Sequence, residues 1–157
     1  MSIWRPHTTG IVVGGLVLIL VALVASYIAI NFQPTTQVRL GSSVFNVRLA
    51  TTEPAREQGL SGVEKLARNA GLLMVYEKAG AHGIWMKDMK IPIDIIWMNS
   101  DKKVVYIVTD ASPELGESKT FIPSSSAKYV LEIPAGSVKK SAIKIGDTAV
   151  FAVEEVQ

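Results

Sequence analysis

The chain has 157 residues, 48% of them hydrophobic and 19% charged, with a mean hydropathy of +0.30. All 14 acidic residues lie at or after Glu53, and Arg5 is the only one of the 16 basic residues before Arg39. Without Arg5, 15 basic residues meet 14 acidic ones, so the remaining charge is near neutral and lacks the clustered basic face that a nucleic-acid platform needs. The absence of cysteine excludes disulfides, thiolate nucleophiles or ligands, and a lipidated-cysteine anchor.

Residues 1–10 form a short N-terminal segment expected in the cytoplasm. Ile11–Ile30 reads IVVGGLVLILVALVASYIAI, 20 residues without a charge. As a helix rising ~1.5 Å per residue it covers about 30 Å, the thickness of a bilayer core. Trp4 and Tyr27 stand near its two ends, where interfacial aromatics belong. The competing reading is a cleaved signal peptide, but this apolar run exceeds the usual 7–15 residues. Arg5 on the short side predicts the N-terminus inside and the remainder outside the cytoplasm. The lipid bilayer is thus an expected partner. Residues 31–37 read as a linker, and 38–157 as one globular domain.

In that domain Phe45, Val47 and Leu49 alternate with Asn46 and Arg48 as a strand does. Thr51-Thr52-Glu53-Pro54 is a helix start, and Gly59 a stop after Arg56. Gly71–Tyr76 is a short apolar run. Ile91–Met98 is a stronger one, and with the turn at Asn99-Ser100-Asp101 and the run Val104–Val108 it predicts a hairpin. Ser112–Ser126 reads as a loop. Tyr129–Ile133 and Thr148–Val153 complete the expected strands, with turns at Pro134-Ala135-Gly136 and Gly146-Asp147. The fold class expected is mainly β: a compact antiparallel barrel or sandwich with one or two short helices.

Phosphate-binding loops and nucleophile elbows are absent from the sequence, and no cofactor is expected. His82, Met86 and Met89 fall within eight residues, a soft ligand set suited to Cu(I). Methionines more commonly fill cores, and Met86 and Met89 point to opposite sides of a strand. The carboxylates Asp94 and Glu132 are embedded in apolar runs, where each needs a cation or several donors. Arg56, from the short helix, and Lys87, after Trp85, are the candidate partners. Strand parity sets Asp94 opposite Ile93 and Ile95, so the four polar side chains are expected on one accessible face.

Five ordered segments resemble a known family. They are Arg56-Glu57-Gln58-Gly59-Leu60-Ser61-Gly62, then Gly71–Tyr76, then Trp85-Met86-Lys87-Asp88-Met89 running on to Asp94, then Tyr129–Gly136, and finally Gly146-Asp147. Over residues 38–153 the chain is similar to the uncharacterised family called domain of unknown function 192. It departs from the family pattern at Asp88-Met89, usually Asn-Thr, and at Val63, often Arg. The resemblance implies a small mainly-β fold, often exported or membrane-tethered, with no established activity.

The expected function is a non-enzymatic binding or accessory module outside the cytoplasm. Its ligand site would be Arg56, Lys87, Asp94, Glu132 and Trp85, and its partner a small polar ligand or an envelope component. The alternative is a hydrolase of a polar envelope component using Asp94 and Glu132 as acid and base.

Overall fold

The computed structural model of the chain describes residues 14–15, 17–22 and 34–153. The chain divides into two units, Met1–Gln33 and Pro34–Gln157. In the first, the described residues are helical, and the rest of the expected span Ile11–Ile30 lies outside the described residues. Among the described residues no helix is long and apolar enough to cross a membrane.

The second unit begins with a hairpin. β1 (Thr35–Leu40) and β2 (Ser43–Ala50) pair antiparallel around Gly41-Ser42. Gly41 has φ +58, and any Cβ there would collide with the Ser141 carbonyl oxygen, so the turn requires glycine. β1 starts inside the stretch read as linker, because Val38 and Leu40 are core residues that its polar neighbours disguise.

α1 (Glu53–Gln58) follows as the sequence indicates. Thr52 caps it by accepting from the Ala55 amide at 3.4 Å, Pro54 occupies its first turn, and the Gly59 amide closes it on the Ala55 carbonyl. The helix carries the chain back, so β3 (Ala70–Gly80) lies parallel to β2. Then come β4 (Ile84–Trp85), β5 (Ile93–Met98), β6 (Val104–Ala111), a 3₁₀ turn at Pro113–Leu115, β7 (Thr120–Phe121), β8 (Ala127–Pro134) and α2 (Ser137–Lys140). Six strands form one sheet in the order β1-β2-β3-β8-β5-β6, and β4 pairs with β7 in a second, two-stranded sheet.

The mainly-β class holds, and every strand pair except β2 with β3 is antiparallel. The large sheet is mixed, because the helical return after β2 makes one parallel pair, and it does not close into a barrel. Thr148–Val153 is not a strand either. It makes only isolated bridges, Thr148 to Lys103 and Val150 to Arg39, as it passes between the two edges of the sheet.

The core has two halves, one on each face of the large sheet. Val38, Phe45, Leu73, Ile96, Leu131 and Phe151 belong to the first. Leu72, Met74, Met86, Ile95, Trp97 and Val130 belong to the second. All six residues of β5 are buried, which is what its near-continuous apolar sequence requires.

Candidate functional site

The register of β5 against β8 decides where the two embedded carboxylates go. Asp94 pairs with Ile133 and Ile95 with Glu132, and directly paired residues share a face. Asp94 therefore joins the first half of the core and Glu132 the second. The four polar residues expected together do not converge, and Asp94 and Glu132 cannot work as an acid–base pair from opposite faces.

Asp94 is fully buried and committed to the fold. Its Oδ1 accepts from the Asp110 amide at 2.9 Å and the Gly136 amide at 3.3 Å, and its Oδ2 from the Val138 amide at 2.8 Å. One carboxylate thus ties β5 to β6 and to the start of α2. Burying the charge is tolerable because three backbone donors satisfy it.

Glu132 has a different environment. It is 3% exposed, and its Oε2 has no hydrogen-bond partner. Burial raises its carboxyl from 4.5 to about 7, with the charge of Arg48 on β2 pulling the other way. It sits at the floor of an open cleft of about 530 Å³ between α1, β3, β4 and β7. Gly59 lies over it: a Cβ at Gly59 would be 3.6 Å from Oε2 and 3.4 Å from the Met74 methyl.

Arg56 reaches the same cleft from the last turn of α1. Its Nη1 donates to the Thr51 carbonyl at 2.7 Å and the Val75 carbonyl at 3.0 Å. Its guanidinium lies 4.8 Å from the centre of the Tyr76 ring, a cation–π contact that fixes its plane. The His82 ring stacks on Tyr76 at 3.5 Å. Burial raises the Tyr76 hydroxyl, Arg56 opposes the shift and Glu132 reinforces it.

Trp85 forms the rim, 44% exposed. Lys87 falls in an adjoining hollow of about 470 Å³ that shares Trp85. Its Nζ is 5.6 Å from the Trp85 ring and pairs with Glu117 at 2.7 Å, and that partner raises its pKa. Of the residues singled out from sequence, Arg56, Trp85 and Glu132 therefore share the cleft, Lys87 borders it, and Asp94 is elsewhere.

Of the residues of the Cu(I) set, Met89 lines the cleft. Met86 is fully buried in the second half of the core, and His82 Nε2 lies 3.0 Å from the Lys78 carbonyl while its ring packs on Tyr76. Among the described residues no three His, Cys, Asp or Glu side chains are placed to hold a metal ion. Reading the sequence missed Tyr76 and the rim acids Glu53 and Glu57, which also line the cleft. Tyr76 had a signal, as the polar-tipped end of an apolar run. The two glutamates had none beyond their place on a surface helix.

These observations define a small mainly-β domain with a doubly buried central sheet and a cleft beside its one crossover helix. The chain belongs to the family domain of unknown function 192, described as "Uncharacterized ACR", whose profile matches residues 36–151. The resemblance read from its motifs holds. It is similar to the UPF0127 protein of Pyrococcus furiosus, 32% identical over 69 residues that cover 44% of this chain and 53% of that protein. It is also similar to the UPF0127 protein of Thermococcus kodakarensis, 29% identical over 101 residues, 64% of this chain and 61% of that one. The matches thus span between half and two thirds of those relatives. A crystal structure from Sinorhizobium meliloti, of a protein described as a candidate transcription regulator, superposes with a TM-score of 0.72 at 27% identity, covering 76% of this chain and 95% of that one. A protein of unknown function from Novosphingobium aromaticivorans superposes at 0.68 and 27% identity, covering 75% and 84%.

Proposed function

We propose that the chain is a ligand-binding module that Ile11–Ile30 tethers to the membrane, with the domain 38–157 outside the cytoplasm. The observation that carries the binding role is Glu132: a buried carboxyl with an unpartnered oxygen at the floor of a cleft that Arg56 and Trp85 also line. A buried polar atom left without a partner costs roughly 1–3 kcal/mol, and a fold keeps such a group where it has a use. The cleft volume also falls in the range of small-ligand sites, about 300–1,000 Å³. Binding is favoured over hydrolysis because Asp94, the expected second carboxylate, is on the other face of the sheet with its oxygens occupied. The tether rests on the charge-free sequence of Ile11–Ile30 and on Arg5 at its short side.

The test is thermal unfolding of the full chain in detergent micelles against a panel of amino acids, sugars, short peptides and nucleotides. A ligand of this site raises the melting temperature in proportion to its concentration over Kd, and Arg56→Lys removes the effect. A panel without any stabilising compound, or stabilisation that survives Arg56→Lys, counts against the site.

A further inference from the structure

Arg56 and Glu132 carry opposite charges into one cleft and do not satisfy each other. Both hydrogens of the Arg56 Nη1 go to the Thr51 and Val75 carbonyls, and Arg56 makes no ion pair with Glu132. Its Nε and Nη2 remain as a planar fork suited to a carboxylate. Glu132 offers Oε2, which has no donor. Arg56 and Glu132 both line the cleft, and Met74, Met89 and Leu60 supply its apolar wall. A ligand matched to this lining carries an anion, a cationic donor and an apolar body.

We infer that the cleft binds a small zwitterion of the α-amino-acid class, its carboxylate on Arg56, its ammonium on Glu132, and its side chain against Met74 and Met89. This rests on the reading of the cleft as a ligand site and names the chemistry of its ligand. The other charges agree with it. Glu53 and Glu57 on α1 join Glu132 against the single cation Arg56 in the lining, so a purely anionic ligand is repelled. A purely cationic ligand leaves the guanidinium fork unmet.

The ammonium pairs with the carboxylate form of Glu132. The groups that set that form are Arg48 from β2, which favours it, and burial, which opposes it; the neutral Tyr76 hydroxyl from β3 and the charged Arg56, Glu53 and Glu57 from α1 complete the titratable lining. With the free carboxyl at about 7, only the ionised fraction of sites is competent. Apparent affinity should then rise roughly 30-fold from pH 5.5 to pH 8.0, while a free amino acid keeps both its charges over that range.

Calorimetric titration of the full chain in detergent micelles tests this with four probes: L-leucine, 3-methylbutylamine, 4-methylpentanoate and N-acetylglucosamine. The expected result is that leucine binds, that the amine and the acid each bind at least tenfold more weakly, and that leucine affinity rises with pH as stated. Glu132→Gln should weaken leucine binding and flatten its pH dependence, while the two truncated probes test the idea with no variant at all. Equal binding of leucine and either truncated probe overturns the zwitterion. So does a leucine affinity that is flat with pH. Binding of N-acetylglucosamine without leucine overturns it too, and leaves the cleft as a ligand site. No heat from any of the four overturns the zwitterion, and the ligand site itself falls only if the wider panel of sugars, peptides and nucleotides is also without effect.

Discussion

Asp94 and Glu132 stand on opposite faces of one sheet, because Asp94 is paired across the strands with Ile133 and Glu132 with Ile95. One residue of register separates a carboxylate that holds the fold together from one that faces a cleft. The two therefore respond differently to substitution.

Asp94→Asn leaves at least one of three backbone amides facing an amide N–H₂ instead of an oxygen. Charge-assisted hydrogen bonds are worth about 1.5–3 kcal/mol, so a loss of roughly 2–4 kcal/mol is expected in urea unfolding of the full chain. Ligand binding by the folded fraction should be unchanged. A variant of unaltered stability would remove Asp94 from its role as a tie.

Glu132→Gln should act through pH. The Glu132 carboxyl titrates at about 7 in the folded chain against 4.5 when unfolded, so the folded state holds a proton that the unfolded state has released. Its contribution is fully present below 4.5 and is lost as pH rises through 7. The decline amounts to about 3 kcal/mol between these limits. The glutamine variant should lack that decline and be the more stable protein at pH 8; parallel stability curves for the two would contradict the burial argument.

Arg56→Lys keeps the charge and loses the fork. Arg56 is only half-buried, so the cost in stability should be about 1 kcal/mol or less, a few degrees of melting temperature at most. Ligand-induced stabilisation should disappear. The reverse pattern, a large loss of stability with binding intact, would make the residue a structural clamp on Thr51 and Val75.

Gly59→Ala puts a methyl group at φ +52, within 3.4 Å of the Met74 methyl and 3.6 Å of the Glu132 Oε2. The strain should cost roughly 1–3 kcal/mol. The methyl also narrows access to Glu132, so binding should fall further than stability does, and equal effects on both would argue against access through this point.

The proposed orientation is checked by protease added to intact spheroplasts. Residues 38–157 should be degraded while a cytoplasmic control survives. Full protection of the domain would reverse the topology.

How much of this was legible in the sequence depends on which neighbours a residue has. The capped start and glycine stop of α1 are local chemistry, and both were readable at Thr52, Pro54 and Gly59. Parity correctly set Asp94 opposite Ile93 and Ile95. It misled about which side is wet, because a sheet buried on both faces has no wet side, and the unbroken run IDIIWM was the sign of that. β1 escaped notice because Thr35, Gln37 and Arg39 interrupt its core residues Val38 and Leu40. The parallel pairing of β2 with β3 is a long-range outcome that no local pattern carries. Within the cleft, Arg56, Trp85 and Glu132 were visible as residues out of keeping with their runs. Tyr76 gains its meaning only from Arg56 and His82, which folding brings to it.

The bridging segment at residues 148–150 covers backbone at the sheet's edges. Val150 exchanges both backbone hydrogen bonds with Arg39 on β1, and the Ala149 amide donates to Lys102 just before β6. One short stretch thus occupies backbone groups at both margins of the sheet, the places where a strand from another molecule would otherwise add. Lys102 Nζ, on the Phe151 carbonyl at 2.8 Å, and the Thr36 hydroxyl, on the Ala152 carbonyl at 2.8 Å, hold the stretch down on both sides. Chains cut before Thr148 would uncover two templates at once, and they should self-associate by strand addition more readily than the intact protein.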